Sequence, residues 1–131
     1  IFSKRSLAVP ELALLDAPNS TDSCSQRSVS TTGPQALTFL NGAFINSAAA
    51  AFADRLVSES GPESRDQVIL AFRLALCRDP SADELESSEH FLRSQAALPP
   101  GDDKKMSNSK RRALSALCLV LLNTNEFAYT R

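Results

Sequence analysis

The residue types that carry chemistry are few in this chain and widely spaced. The single histidine, His90, lies between Glu89 and Phe91 in a polar segment. Any metal site, Cys-His pair or Ser-His pair built within the chain has to use it. At helical spacing its neighbours are Glu86 and Arg93, a solvated face, so His90 reads as an exposed structural histidine. Asp16, Asp22, Asp102 and Asp103 include one adjacent pair, in a loop-like stretch next to Gly101. Glycoside hydrolysis needs two carboxylates held across a cleft, about 5 to 9.5 Å apart, and an adjacent pair in a loop is solvated charge instead. The glycines form no phosphate-binding loop, and no metal-ligand spacing occurs. The expectation is therefore no catalytic residue, no metal site, no cofactor in this segment and no autonomous enzyme activity.

Cys24, Cys77 and Cys118 have no close spacing, which excludes a CxxC redox or metal motif and a CxxCH haem attachment. Two of the three can still pair, in three ways. Cys77 and Cys118 both lie in apolar helical patterns and read as small core residues.

The elements that would position any such residue are helices. With 131 residues, 43% of them hydrophobic, the chain is long enough for one core. A formal net charge of −1 provides no field to concentrate nucleic acid or an anionic membrane. Residues 68–95, helix, tight turn, helix, superficially look like a helix-turn-helix, but Asp83, Glu84, Glu86 and Glu89 would face the phosphates and repel them. The longest apolar run, Ala113 to Leu122, is too short for the roughly 20 residues that span a bilayer. Neither a nucleic-acid partner nor membrane insertion is expected.

The first thirty residues are weakly patterned: a short segment from Pro10, ended by Ala17-Pro18, then a polar loop. From Ser30 the helical signals strengthen. Thr31 or Thr32 can cap and Pro34 suits a first turn, and Leu37, Phe39, Leu40, Phe44 and Ile45 follow. Asn41-Gly42 predicts a break, followed by a helix from about Ala43 to Ser58 closed by Gly61-Pro62. Its alanines, Ala48 to Ala51 and Ala53, predict close approach of another helix, with Phe44, Phe52 and Leu56 filling the gaps. Val68, Ile69, Phe72, Ala75 and Leu76 form the stripe of the next helix, ended by Asp79-Pro80. Ser81 and Glu84 have the spacing of a capping box opening a polar surface helix that carries Leu85, Phe91 and Leu92 to about Ala97. After the loop "LPPGDDKKMSNSK", Leu98 to Lys110, a helix from about Ser109 to Leu122 presents Leu114, Leu117, Cys118, Leu121 and Leu122 and should be central. Asn123 or Asn125 can end it, and Phe127 and Tyr129 can fold back on the core. No segment alternates like a half-buried strand. The reading is all-α: a compact bundle of about five helices with an irregular N-terminal segment. It is taken as one domain over 1–131, with 1–30 as lead-in and 31–131 as helical core. The opening "IFSKRSLAVP", with no initiator Met and no signal-type run, reads as a piece cut from something larger.

These stretches carry a resemblance. "LLDAPNSTDSCSQRSVSTTGPQALTFLNGAF", "ADRL", "AFRLALCRDPSADEL" and "ALCLVLLNTNEFAYTR" together resemble the C-terminal portion of the family known as domain of unknown function 1553, abundant in Planctomycetes and related bacteria. The family-pattern positions are Cys24, Arg27, Thr32, Pro34, Gln35, Asn41, Asn123, Asn125, Glu126 and Phe127. One departure is Cys77, where glycine is the more usual family residue, which puts a glycine-dependent helix-ending turn in question. The resemblance implies a large exported multidomain protein, periplasmic or at the cell surface, often with a cytochrome-c-like haem domain, so haem c belongs to the parent and not to this segment. It also makes a disulfide involving Cys24 more plausible. The implied partners are upstream domains of the same chain and, through the parent, polysaccharide. Two readings of the polar positions stay open. In one, Arg27 pairs with Glu126 or bonds helix-end carbonyls, Thr32 caps, Gln35 and Asn41 tie loop backbone to helix, and Asn123 with Asn125 satisfies the last carbonyls of the central helix. In the other, Arg27, Gln35, Asn41, Asn125 and Glu126 converge on a polar pocket for a sugar or for the upstream domain. The first makes the chain a non-catalytic structural and docking module. The second makes it a contributor to a carbohydrate-active or haem-linked enzyme completed upstream.

Overall fold

The computed structural model describes residue 37, residues 40–99 and residues 109–128. The chain divides into two compact units, Ile1–Phe39 and Leu40–Arg131. In the first, only the exposed helical residue Leu37 is described. The predictions for residues 1–36, the loop around Asp102 and Asp103, and Tyr129 fall outside the described residues. The second unit carries five helices among the described residues and no strand: α1 (Ala43–Ser60), α2 (Ser64–Leu76), α3 (Ala82–Ala97), α4 (Ser109–Leu122) and the one-turn α5 (Asn125–Ala128). The all-α bundle is as read from the sequence.

Leu40 and Asn41 are helical, Gly42 is extended (φ −62°, ψ 130°), and α1 begins at Ala43. The Asn41-Gly42 break is real. Gly42 has no side chain to cap with, and Asn46 Nδ2 instead donates to the Gly42 carbonyl at 3.0 Å. Ala49, Ala53 and Leu56 line the buried face, spaced by four and three residues, so the alanine-rich stretch is a packing surface. Phe44 does not share it. Five residues before Ala49 it lies about 140° around the helix at 100° per residue, and it is 70% exposed. Gly61 then turns the chain at φ 79°, a conformation that a Cβ disfavours. The buried Gln67 of α2 fastens this turn, its Nε2 donating to the Gly61 carbonyl at 2.7 Å.

Helix α2 ends at an unusual residue. Cys77 adopts the left-handed conformation, φ 56° and ψ 27°, and its N–H donates to the Arg73 carbonyl at 3.1 Å. The turn for which the sequence resemblance leads one to expect a glycine is made here by a cysteine. The position points the thiol outward, so Cys77 is exposed and not a core residue, contrary to its apolar surroundings in sequence. Two residues past Asp79, the capping box opens α3: the Glu84 N–H donates to Ser81 Oγ at 3.2 Å and the Ser81 N–H donates to Glu84 Oε2 at 2.7 Å.

Helix α4 is the centre of the unit, packing along both α1 and α3. It buries Ala113, Leu114, Leu117, Cys118 and Leu121, which join Leu56, Val68, Ala71, Phe72, Leu85 and Leu92 in one core. Its first turn is anchored by charge. Arg111 pairs with Asp54 of α1, Nη2 to Oδ2 at 2.6 Å, and Arg112 Nη2 donates to the Leu98 carbonyl at 2.6 Å, satisfying an acceptor at the end of α3. Asn123 Nδ2 closes α4 by donating to the Leu119 carbonyl at 2.7 Å, as one of the two readings expects. Thr124 Oγ1 donates to the Leu121 carbonyl and accepts the Phe127 N–H, starting α5. Phe127 remains 41% exposed and does not fold into the core.

Candidate functional site

The densest polar arrangement in the described unit is built on Arg78, in the turn between α2 and α3. Proline at 80 and the cap at Ser81 place Glu84 one helical turn into α3, facing back across the turn toward Arg78. Arg78 Nη1 and Nη2 donate to Glu84 Oε2 and Oε1 at 2.8 and 2.7 Å. On the other side Nε and Nη2 donate to Glu126 Oε1 and Oε2 of α5, at 2.7 and 2.9 Å. The remaining Nη1 donor reaches the Asp79 carbonyl at 3.2 Å. A guanidinium has five N–H groups, and all five are engaged. Its Cζ also lies 5.5 Å from the ring centroid of the buried Phe72.

The electrostatics follow from the geometry. The Arg78 guanidinium, and after it the Ser81 backbone N–H, hold the Glu84 carboxyl down to about 2, from an ordinary 4.5. Two carboxylates in turn push the Arg78 pKa further up. Beside them Arg73 pairs with Asp79 and depresses its pKa. An arginine with every donor occupied by protein acceptors is a brace between helices, because a bound anion would first have to displace a bidentate carboxylate.

A second feature is an open groove of about 600 Å³ bounded by α1, the start of α2, α3 and α4. Val57, Leu92, Ala96, Ala113 and Leu114 supply its apolar part. The ion pairs Asp54–Arg111 and Arg65–Glu89, the latter at 3.5 Å, cross it. The Arg111 guanidinium depresses the Asp54 pKa. His90 is exposed on α3. Among the described residues no group of three or more His, Cys, Asp and Glu side chains is placed to hold a metal ion, and every buried side-chain polar atom has a partner.

Of the five residues read from the sequence as a polar pocket, Arg27 and Gln35 lie outside the described residues. Asn41 is exposed at the last helical position before Gly42, and Asn125 is exposed at the start of α5. Glu126 is engaged by Arg78. Arg78 itself is not among the residues that the sequence singles out. Its visible sign is local: an arginine six residues before the capping-box glutamate, so that Ser81 and Glu84 orient a carboxylate toward the turn. The partnership with Glu126, 48 residues away, has no sequence period to show it. Cys77 and Cys118 are both free thiols, and burial pushes Cys118 up to about 12.

No curated protein and no solved structure matches the chain. The family described as PSD1, protein of unknown function (DUF1553), matches residues 1–92, which includes α1, α2, the Arg78 turn and most of α3. On that match, over more than half of its length, the chain belongs to the DUF1553 family.

Proposed function

We propose that this chain is a non-catalytic structural and docking module, and that it seats upstream domains of a larger exported bacterial protein. The export and the larger parent rest on the family resemblance. The observation that carries the docking role is how the described unit uses its side chains. Its strongest charged groups join its own helices: Arg78 to Glu84 and Glu126, and Arg111 to Asp54. Large apolar side chains are left facing outward just ahead of and within the first turn of α1, Leu40 at 51% and Phe44 at 70% exposure. Among the described residues every buried side-chain polar atom already has a partner, whereas exposed apolar side chains favour burial against another protein surface.

Isothermal titration of the 131-residue chain with the recombinant upstream portion of its parent tests this. Saturable binding is expected, weakened at least tenfold by Phe44→Ser, a change outside the core. No binding, or binding indifferent to Phe44→Ser and Leu40→Ser, sinks the docking reading. Saturable binding of plant or algal oligosaccharides by the chain alone would make it a carbohydrate-binding unit instead.

A further inference from the structure

We propose that the groove bounded by α1, α2, α3 and α4 is a second binding surface, for an extended peptide segment that carries a carboxylate beside a branched apolar side chain. Its size, about 600 Å³, lies within the range of ligand sites, roughly 300–1,000 Å³. Its apolar part is aliphatic: Leu92, Ala96, Ala113 and Leu114 line it, and Val57 adds a side chain that is 45% exposed. None of its described lining residues is aromatic, so it lacks the ring on which a nucleobase stacks, and its carboxylates would repel phosphates. Because the groove is open, it can take a segment of chain that continues beyond it.

Charge selects the partner. Four cationic side chains and three carboxylates line the groove, an excess of one positive charge. Arg111 is already taken by Asp54. Arg65 of α2 and Arg93 of α3 instead converge on one residue, Glu89. Arg65 reaches its carboxylate at only 3.5 Å, and Arg93 Nε donates to its backbone carbonyl at 3.2 Å. That bond aims the Arg93 guanidinium and leaves its two Nη groups with no protein acceptor among the described residues. One carboxylate between two guanidiniums leaves a place for a second, which a guanidinium fork takes with parallel N–H bonds. A neighbouring Leu or Val of the same segment then covers Val57 and the aliphatic lining. The site does not rest on the docking reading above: Asp54 and Val57 come at least ten residues after Phe44 on α1, about 15 Å or more along its axis.

Two-dimensional amide NMR titration of the 131-residue chain tests it, with the capped peptide acetyl-Gly-Ser-Leu-Asp-Leu-Ser-Gly-amide and the same peptide carrying Asn in place of Asp. Saturable shifts are expected at the amides of Arg65, Arg93 and Ala96, with the Asn peptide bound about threefold to tenfold more weakly. Arg93→Gln should abolish that difference by weakening the Asp peptide alone, and Val57→Ser should weaken both peptides alike. Arg93 and Val57 are exposed, so neither change threatens the fold. Phe44→Ser should alter neither affinity, whatever it does to binding of the upstream portion. The proposal is overturned if neither peptide saturates, if the two bind equally, or if Arg93→Gln weakens them equally. It is also overturned if 4-methylpentanoate binds as tightly as the Asp peptide, which would make the groove a site for small apolar acids.

Discussion

Replacing Cys77 by glycine should make the protein more stable, and the size of the gain can be worked from the backbone. Cys77 ends α2 at φ 56° and ψ 27°, where the Cβ of an L-residue crowds the following carbonyl at a cost of about 1–2 kcal/mol. Glycine removes that crowding. It also enlarges the conformational freedom of the unfolded chain, which takes back roughly 0.4–1 kcal/mol. The cysteine side chain is exposed, so no core volume is lost, and the N–H bond to the Arg73 carbonyl needs only the backbone. The net expectation is a gain of about 0.5–1 kcal/mol, or a Tm rise of roughly 3–6 °C for a unit of this size. Urea unfolding in reducing buffer measures it, with Cys77→Ala as the control. Alanine keeps the Cβ, so it should stay within about 0.5 kcal/mol of the parent. If glycine lowers the urea midpoint, or if alanine stabilises as much as glycine, the gain does not come from left-handed strain and the reasoning fails.

The other expectations concern acid, core and thiols. The Glu84 carboxyl titrates near 2 when folded and near 4.5 when free, so its stabilisation is present above about 4.5 and is lost as pH falls toward 2; Glu84→Gln should flatten that limb of the stability–pH curve. Leu114→Ala, at a position fully enclosed between α1 and α3, should cost about 2–5 kcal/mol in chemical unfolding, whereas the half-exposed Val120→Ala on the same helix should cost under about 1 kcal/mol. A thiol reagent at about pH 8, just below the ordinary thiol pKa, should label Cys77 in the folded protein at once and Cys118 only on unfolding, since Cys118 is enclosed and its thiol is pushed up to about 12. Equal labelling of both in the native protein would contradict the placement of Cys118 in the core.

Much of the helix map is legible in the sequence because it depends on neighbours along the chain. The Asn41-Gly42 break, the close at Gly61-Pro62, the Ser81–Glu84 box and the α4 stripe all appear where local signals put them. Phe44, Cys77 and Phe127 read as inward-facing because apolar residues in helical segments usually are. Each is turned outward by something short of a full stripe: Phe44 by its angle from Ala49, Cys77 by the left-handed turn, Phe127 by a helix that stops after one turn. The candidate site is only partly legible. Glu126 stands out in the sequence, but the residue it binds among those described is Arg78, and Arg111 and Arg112 read as mere flanks of an apolar run until Asp54 in the second half of α1 and the end of α3 come beside them.

By itself, then, the chain's order of residues determined the helices and their caps, the alanine face of α1, the central place of α4 and the family to which the chain belongs. These follow from interactions within a few residues, where spacing along the chain is spacing in space. Only the tertiary structure decided which charges meet. Arg78 with Glu126 and Arg111 with Asp54 are separated by 48 and 57 positions. An ion pair of that range has no period and no propensity; it exists because apolar packing of α1, α2, α3 and α4 brings those positions within a few ångströms of one another.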